Sequence, residues 1–129
     1  MHSKMNIEVE EQVEVDDVTL DDYCAKNGIA AVDLIKMDIE GFEDKAYAGM
    51  RTIVKKSPNL TMFVEFTKDG YQDPKKFYQQ MFDDFGTVYI IDDDGYITKP
   101  KANDYETVIG DADDWVMPIF SKRTDLANR

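Results

Sequence analysis

Carboxylates cluster where one apolar run ends and a helical pattern begins. Asp38, Glu40 and Glu43 lie close together there, and Glu65 ends the next apolar run along the chain. A carboxylate fixed at a strand end can take a proton from a hydroxyl that attacks an electrophile. Its oxygens also suit a hard divalent cation, and acids at a helix start can serve only as caps or first-turn charges. Catalysis, metal binding and helix capping are therefore all open for these acids.

A lysine lies inside the apolar run that leads to this cluster. Lys36 precedes Asp38 by two positions, so their side chains would share one face of a strand. A lysine in a buried strand needs a charged partner, and we expect that partner to be an acid at the strand end. A metal-dependent hydrolase built on Asp38, Glu40 and Glu65 has less support than the other hypotheses, because the single histidine, His2, lies far from them in the sequence.

Strand and helix patterns alternate around these residues. Four apolar runs predict buried or partly buried strands: residues 32–37, 60–66, 87–91 and 115–121. Caps and helical spacing predict three helices: residues 19–28, 42–54 and 75–84. Alternating apolar and acidic residues predict an edge strand at 7–15, a turn at 93–95 predicts a hairpin whose second strand is 96–99, and residues 100–114 read as a polar loop.

This order predicts an α/β fold, with parallel strands joined by crossover helices and antiparallel strands that close the sheet. The 129 residues suit a single domain, residues 1–129. The carboxyl ends of neighbouring parallel strands meet at one edge of a sheet, where ligands usually bind. Asp38 and Glu65 should therefore lie side by side at that rim.

The composition narrows the range of partners. The 27 acids outnumber the 15 bases, for a formal net charge of −12. Such a surface repels phosphate backbones and anionic membranes, so we expect neither nucleic acid nor a membrane as a partner. The only cysteine, Cys24, falls on the predicted buried face of a helix and can form no disulfide within the chain. We expect a cytoplasmic protein.

The residues from Val15 to Phe66 resemble the FkbM methyltransferase family. Residues 19–21 read Thr-Leu-Asp, and residues 33–43 read Asp-Leu-Ile-Lys-Met-Asp-Ile-Glu-Gly-Phe-Glu. The family signature is a Thr-Leu-Asp segment followed by Asp-Leu-apolar-Lys-apolar-Asp-apolar-Glu-Gly-x-Glu. Ala46, Gly49 and Pro58 continue the similarity, and the spacing agrees throughout.

The resemblance implies a class I, Rossmann-like methyltransferase sheet, with residues 32–37 as its fourth strand and 60–66 as its fifth. It implies transfer of a methyl group from S-adenosylmethionine to a hydroxyl oxygen of a small molecule or glycan. Together with the acids at the strand ends, the resemblance implies roles for particular residues. We expect catalysis by Asp38, Glu40 and Glu65. We expect cofactor binding by Asp38 and Ile39, and substrate binding by Lys36 and Glu43.

One part of the family pattern is not found in the sequence. The seven glycines never cluster into the loop that holds the cofactor in this family. We therefore expect residues 1–129 to be the carboxyl-terminal portion of such a domain, with weak or absent cofactor binding and no activity alone. The alternative is a non-catalytic half-domain that serves as a binding or oligomerisation module. Its fourth strand would have an open edge, through which we expect a homodimer.

Overall fold

The computed structural model describes residues 17–110 and 116–128, so the strand predicted at 7–15 lies outside the described residues. The described strands are β1 (Leu34–Met37), β2 (Thr61–Val64), β3 (Thr87–Ile91), β4 (Ile97–Thr98) and β5 (Ile119–Ser121). The described α-helices are α1 (Leu20–Lys26), α2 (Glu43–Ala48), α3 (Arg51–Lys56), α4 (Pro74–Phe85) and α5 (Tyr105–Val108). A short 3₁₀ helix, Lys68–Gly70, follows β2.

The strands form one sheet with the order β1-β2-β5-β3-β4. β1 and β2 are parallel, with Met37 opposite Val64. β5 runs antiparallel to both β2 and β3, so β2 and β3 point the same way, and β4 returns antiparallel to β3. The prediction of a mixed α/β sheet, with a parallel pair and closing antiparallel strands, is confirmed at this level.

β1 lies at one edge of the described sheet, and its burial differs from the prediction. The apolar run at 32–37 predicted a strand covered on both faces, which is wrong. Leu34 is 64% exposed and Lys36 is exposed, whereas Met37 is buried. Alternate residues of a strand point to opposite faces. The described helices thus cover the Met37 face, while the face of Leu34 and Lys36 has no such cover from the described residues.

The helix predicted at 42–54 is divided into α2 and α3 at Gly49 and Met50. A side chain of α1 explains why a new helix begins at this point. Both side-chain oxygens of Asp21 accept hydrogen bonds from the free amides of Thr52 and Ile53, at 3.0 and 2.8 Å. These bonds satisfy the first amides of a new helix. Phe42, expected on the buried stripe, is instead 60% exposed because it precedes α2 as its cap residue.

The predicted caps are confirmed. Thr19 accepts from the Asp22 amide to begin α1, and Gly28, with φ +68°, follows its end. Asp73 accepts from the Lys76 amide, with Pro74 in the first turn of α4, and Gly86 ends α4 in a left-handed conformation. These short contacts fix where α1 and α4 begin and end.

The core lies between α4 and the sheet and is rich in aromatic rings. Phe66 stacks on Phe77 at 5.5 Å and contacts Tyr78 edge-on at 6.4 Å. Tyr78 contacts Phe120 of β5 at 5.5 Å. The predicted inward residues of α4 are buried, and so is Cys24 of α1. Aromatic pairs of this kind add directional preference to apolar burial.

Two predictions toward the carboxyl end are corrected. Residues 100–114 read as a loop, yet they contain α5, which begins where the Asp104 side chain accepts from the Thr107 amide. The last strand is shorter than 115–121, since β5 begins at Ile119. Val116 keeps only an isolated bridge to Phe66, because Pro118 has no amide hydrogen to donate to a ladder.

Candidate functional site

Two carboxylates meet where β1 and β2 end. Asp38 directly follows β1 and Glu65 directly follows β2, and the Glu65 amide donates to the Met37 carbonyl at 3.0 Å. This bond continues the parallel ladder to the positions of the two acids. The prediction that Asp38 and Glu65 share one rim is confirmed by the register of the strands.

The acids around Glu65 affect the titration of its carboxyl group. The pKa of Glu65 lies above its usual range, chiefly because the group loses hydration, and then because of the negative charge of Asp38 and a hydrogen bond with it. The charges of Glu43 and Glu40 act in the same direction. Negative charge beside a carboxyl group favours the protonated form of that group. A carboxylate whose pKa moves toward neutrality is a better general base at physiological pH.

The loop between β1 and α2 has an unusual backbone. Glu40 has φ +55° and Gly41 has φ +96°, both in the left-handed region. Within the described residues Glu40 is the one non-glycine with such an angle. A left-handed conformation costs energy for a residue with a side chain, so other contacts must hold the loop in this shape.

Glu43 supplies those contacts. Its side chain is fully buried, and its two oxygens accept from the amides of Ile39 at 2.8 Å and Gly41 at 2.9 Å. The carboxylate thus satisfies loop amides that precede α2, and its charge opposes the positive helix start. With both oxygens engaged and none exposed, Glu43 positions the loop. The predicted contact of Glu43 with substrate does not fit this burial.

Tyr71 joins the same hydrogen-bond system. Its hydroxyl oxygen lies 3.0 Å from Glu43 Oε1 and 2.9 Å from the Glu65 carbonyl oxygen, so one proton is shared between two acceptors. Burial, followed by the charge of Glu43, raises the pKa of Tyr71 and keeps its hydroxyl a donor. Sequence reasoning missed Tyr71, since a single tyrosine after a Lys-Asp-Gly turn carries no recognisable signal.

Two glycines let the loops after β1 and β2 touch. A Cβ atom on Gly70 would lie 2.7 Å from the Gly41 Cα atom, closer than real Cβ atoms approach other atoms. Glycine at position 70 therefore allows the backbones to meet. Sequence reasoning recognised Gly41 as part of the family signature but assigned no role to Gly70.

The other predicted site residues lie nearby with different surroundings. Ile39 is 42% exposed and lies directly after Asp38 on the rim. Lys36 is exposed on β1, and none of the ion pairs among the described residues includes it. The expected pairing of Lys36 with a rim acid is therefore not present in the described part of the chain. Lys36 lies instead beside a cavity at the edge of β1.

That cavity measures about 360 Å³ and is mostly apolar. Ile39 forms part of its wall, and Lys36 and Lys45 bring two cationic side chains to it. Its apolar walls come from α1, β1 and the segment around α2, and include Val18, Leu20, Ile35, Met37 and Met50. An apolar cleft with few polar groups is the usual form of a small-molecule site. Asp38 and Glu65 are not among the residues that line this cavity.

Several residues of the signature have structural roles away from the rim. Thr19 caps α1, and Asp21 holds the start of α3. A Cβ atom on Gly49 would lie 2.9 Å from the Thr19 side chain, so the glycine allows α1 to approach the α2–α3 junction. The signature thus combines packing residues with the rim acids Asp38 and Glu40.

The described residues contain no group of three or more His, Cys, Asp or Glu side chains arranged to hold a metal ion. In the same described ranges, no helix has the length and apolar character needed to cross a bilayer.

An α/β sheet with acids at the ends of adjacent parallel strands fits the class of methyltransferase-like α/β domains. Comparison with protein families gives the particular family: a model described as the methyltransferase FkbM domain matches residues 1–98 of the 129. The chain therefore belongs to the FkbM methyltransferase family. The match extends on both sides of the segment from Val15 to Phe66 where the resemblance was recognised. Neither the curated proteins nor the solved structures give a match.

Proposed function

We propose that the chain carries the catalytic rim of an S-adenosylmethionine-dependent methyltransferase that acts on a hydroxyl oxygen of a small molecule or glycan. The observation that carries the proposal is the pairing of Asp38 with Glu65 at the ends of β1 and β2. Membership of the FkbM family supplies the methyl-transfer chemistry. In this proposal residues 1–129 form the carboxyl-terminal portion of a class I, Rossmann-like domain.

The rim acids deprotonate the acceptor. The exposed Asp38 carboxylate would accept the proton of the acceptor hydroxyl, so that its oxygen could receive the methyl group that S-adenosylmethionine would supply when bound. Glu65, beside it, has a raised pKa and can share the proton that Asp38 receives. Glu40 adds negative charge at the same rim, which favours proton uptake. We assign the catalytic role to Asp38 first, with Glu65 and Glu40 supporting it.

The residues beside the rim fit part of the cofactor. When bound, S-adenosylmethionine supplies an electrophilic methyl group on a positively charged sulfur. The apolar wall that includes Ile39 suits a flat ring. Asp38, which precedes Ile39 in the chain and is exposed, suits a cationic or hydroxyl-bearing group. Lys36 lines the same cavity and is our proposed contact for the acceptor. The single buried thiol, Cys24, is consistent with a reducing compartment such as the cytoplasm.

Substitution of Asp38 by Asn tests this proposal. The experiment uses the longest natural polypeptide that contains these residues. It measures transfer of a labelled methyl group to hydroxyl-bearing glycans and small molecules. We expect Asp38→Asn to lower the rate by a factor of about 100 to 10,000, as loss of a general base does. The matched control is Asp83→Asn on α4, an exposed acid bonded to Gln79. Equal rates for Asp38→Asn and Asp83→Asn would refute the catalytic role.

A second candidate function is a non-catalytic module that dimerises through β1. The observation that favours it is the position of β1 at the edge of the described sheet, with Leu34 64% exposed. The carbonyls of Asp33 and Met37 accept bonds from the β2 side, so the main-chain groups of Leu34 and Lys36 point to the other edge. An open edge of this kind can pair with a second copy.

Sedimentation at tens of micromolar tests the dimer. We expect a dimer for the native chain and a monomer when Leu34→Pro removes an outward amide from the edge. Thr98→Pro, on the other edge strand β4, is the control and should leave the mass unchanged. A native chain that sediments as a monomer, with fast amide exchange at Leu34 and Lys36, would refute pairing through β1.

A further inference from the structure

The hydroxyl of Tyr71 connects the two chain segments that carry the rim acids. Its side chain is only 7% exposed, and its ring packs edge-on against Phe66 at 4.8 Å and Phe77 at 5.1 Å. These ring contacts fix the direction of the hydroxyl, since an edge-on pair resists rotation of either ring. The hydroxyl therefore reaches its partners from a rigid support in the core.

The two acceptors of that hydroxyl belong to different sides of the rim. Glu43 Oε1, at 3.0 Å, also accepts from the Gly41 amide, so it holds the loop that follows Asp38. The second acceptor, at 2.9 Å, is the main-chain carbonyl of Glu65 itself. The Tyr71 hydroxyl proton therefore lies between the Glu65 carbonyl and the Glu43 carboxylate, which holds the loop that follows Asp38.

A backbone contact reinforces this bridge. Gly41 lies in the first loop and Gly70 in the second, and a Cβ atom on Gly70 would meet the Gly41 Cα atom at 2.7 Å. The two loops thus touch at their glycines and are tied at Tyr71. We call these four residues, Glu43, Tyr71, Gly41 and Gly70, the rim clamp.

We propose that Tyr71 is a positioning residue of the methyl-transfer site, which acts through the rim clamp to fix the separation of the Asp38 and Glu65 carboxyl groups. The catalytic meaning of this inference rests on the proposed function. The geometry that it asserts can be tested without methyl transfer, because the closeness of Asp38 to Glu65 affects the titration of Glu65.

The groups that face Glu65 come from three elements. Asp38 and Glu40 lie in the loop after β1, and Glu43 begins α2; all three raise the pKa of Glu65, after loss of hydration as the largest cause. Tyr71 touches the Glu65 carbonyl and has its own pKa raised by burial and by Glu43, so it stays protonated in the range where carboxyl groups titrate. Changing Tyr71 to Phe therefore alters no charge.

The test is a carboxyl-carbon NMR titration of the 129-residue chain. In Tyr71→Phe we expect the Glu65 midpoint to fall toward that of an ordinary glutamate, because the loop that carries Asp38 is released. The matched control is Tyr78→Phe, which removes a hydroxyl from the same aromatic core, bonded at 2.5 Å to the Asn103 carbonyl. We expect the Glu65 midpoint in Tyr78→Phe to equal that of the native chain.

A second variant separates the loops without touching the hydroxyl. Gly70→Ala places a methyl group against Gly41, and we expect it to lower the Glu65 midpoint as Tyr71→Phe does. If Tyr71→Phe does not fold, Gly70→Ala decides the outcome. Folded variants in which the Glu65 midpoint stays at the native value would overturn the inference. A lowered Glu65 midpoint, combined with no methyl transfer by the longest natural polypeptide that contains these residues, would keep the rim clamp and refute the proposed function instead.

Discussion

Replacing Glu43 by Ala is the most direct test of how the rim loop is held. The carboxylate is fully buried and accepts from two loop amides, of Ile39 and Gly41, and from the Tyr71 hydroxyl. Alanine removes all three acceptor contacts at once. Tyr71 retains the Glu65 carbonyl as a partner, so its hydroxyl is not left unsatisfied. The loss therefore concerns mainly the two amides.

The size of the effect follows from those two amides. A buried donor left without a partner costs about 1–3 kcal/mol, which predicts a loss of about 2–6 kcal/mol for the pair. Two features reduce this value. Water can reach the freed amides at the rim, and removal of a buried charge relieves its own cost of dehydration. We therefore expect the free energy of unfolding to fall by about 2–4 kcal/mol, a large share of the stability of a small domain.

Urea denaturation measures this change, with Asp44→Ala as the control. Asp44 lies in the same first turn of α2, but its side chain accepts only from the adjacent Lys45 amide among the bonds of the described residues. Its loss should cost about 0.3–1 kcal/mol through the helix start. The loss of stability in Glu43→Gln should lie between those of Glu43→Ala and Asp44→Ala, because the single side-chain oxygen of Gln can accept from only one of the two loop amides. If Glu43→Ala is as stable as Asp44→Ala, Glu43 does not hold the rim loop.

Three further outcomes follow from the site. Because the pKa of Glu65 is raised in the native state, protonation of Glu65 contributes to the free energy of unfolding. This contribution is fully present below the ordinary glutamate pKa. It is lost as the pH rises through the higher native pKa. In Glu65→Gln the urea midpoint should therefore fall less with rising pH over that window, and the variant should be more stable than the native chain at pH 7. An unchanged dependence of the urea midpoint on pH would contradict this. Glu40→Gly should raise the free energy of unfolding by about 0.5–1 kcal/mol, because φ at residue 40 is +55°; a loss measured in urea would refute it. Titration calorimetry of the 129-residue chain should show no binding of S-adenosylmethionine tighter than roughly 10 μM, and tighter binding would show that these residues form a sufficient cofactor site.

The parts of the fold that short-range chemistry determines were predictable from the sequence. Caps need only neighbouring residues, so Thr19, Asp73 with Pro74, and Gly86 marked helix ends correctly. The parallel pairing of β1 and β2 also followed, because buried apolar runs joined by a helical segment favour a crossover. Because both acids follow the ends of these runs, the sequence predicted that Asp38 and Glu65 share one rim, and the register of the strands agrees.

Contacts between distant residues were not predictable in the same way. The end of α2 depends on Asp21, about thirty positions earlier, which accepts from two amides of α3. An apolar stripe at helical spacing contains no information about such a distant hydrogen bond. The stripe therefore predicted one continuous helix across Gly49. Tyr71 was missed for the same reason, since its partner Glu43 lies 28 positions away. The burial of β1 depended on which strands and helices lie beside it, which a single run of residues does not encode.

The competing explanation of Asp38 as a helix cap can be judged from α2 itself. α2 begins after Phe42, and no side-chain hydrogen bond caps it. The free amides of the loop are satisfied by Glu43, which comes after them in the chain. Glu43 thus performs the stabilising role that the sequence allowed for Asp38, and Asp38 remains exposed at the rim, facing Glu65. Helix capping therefore does not account for this exposed carboxylate, and the role that we propose for Asp38 is in the chemistry of the site.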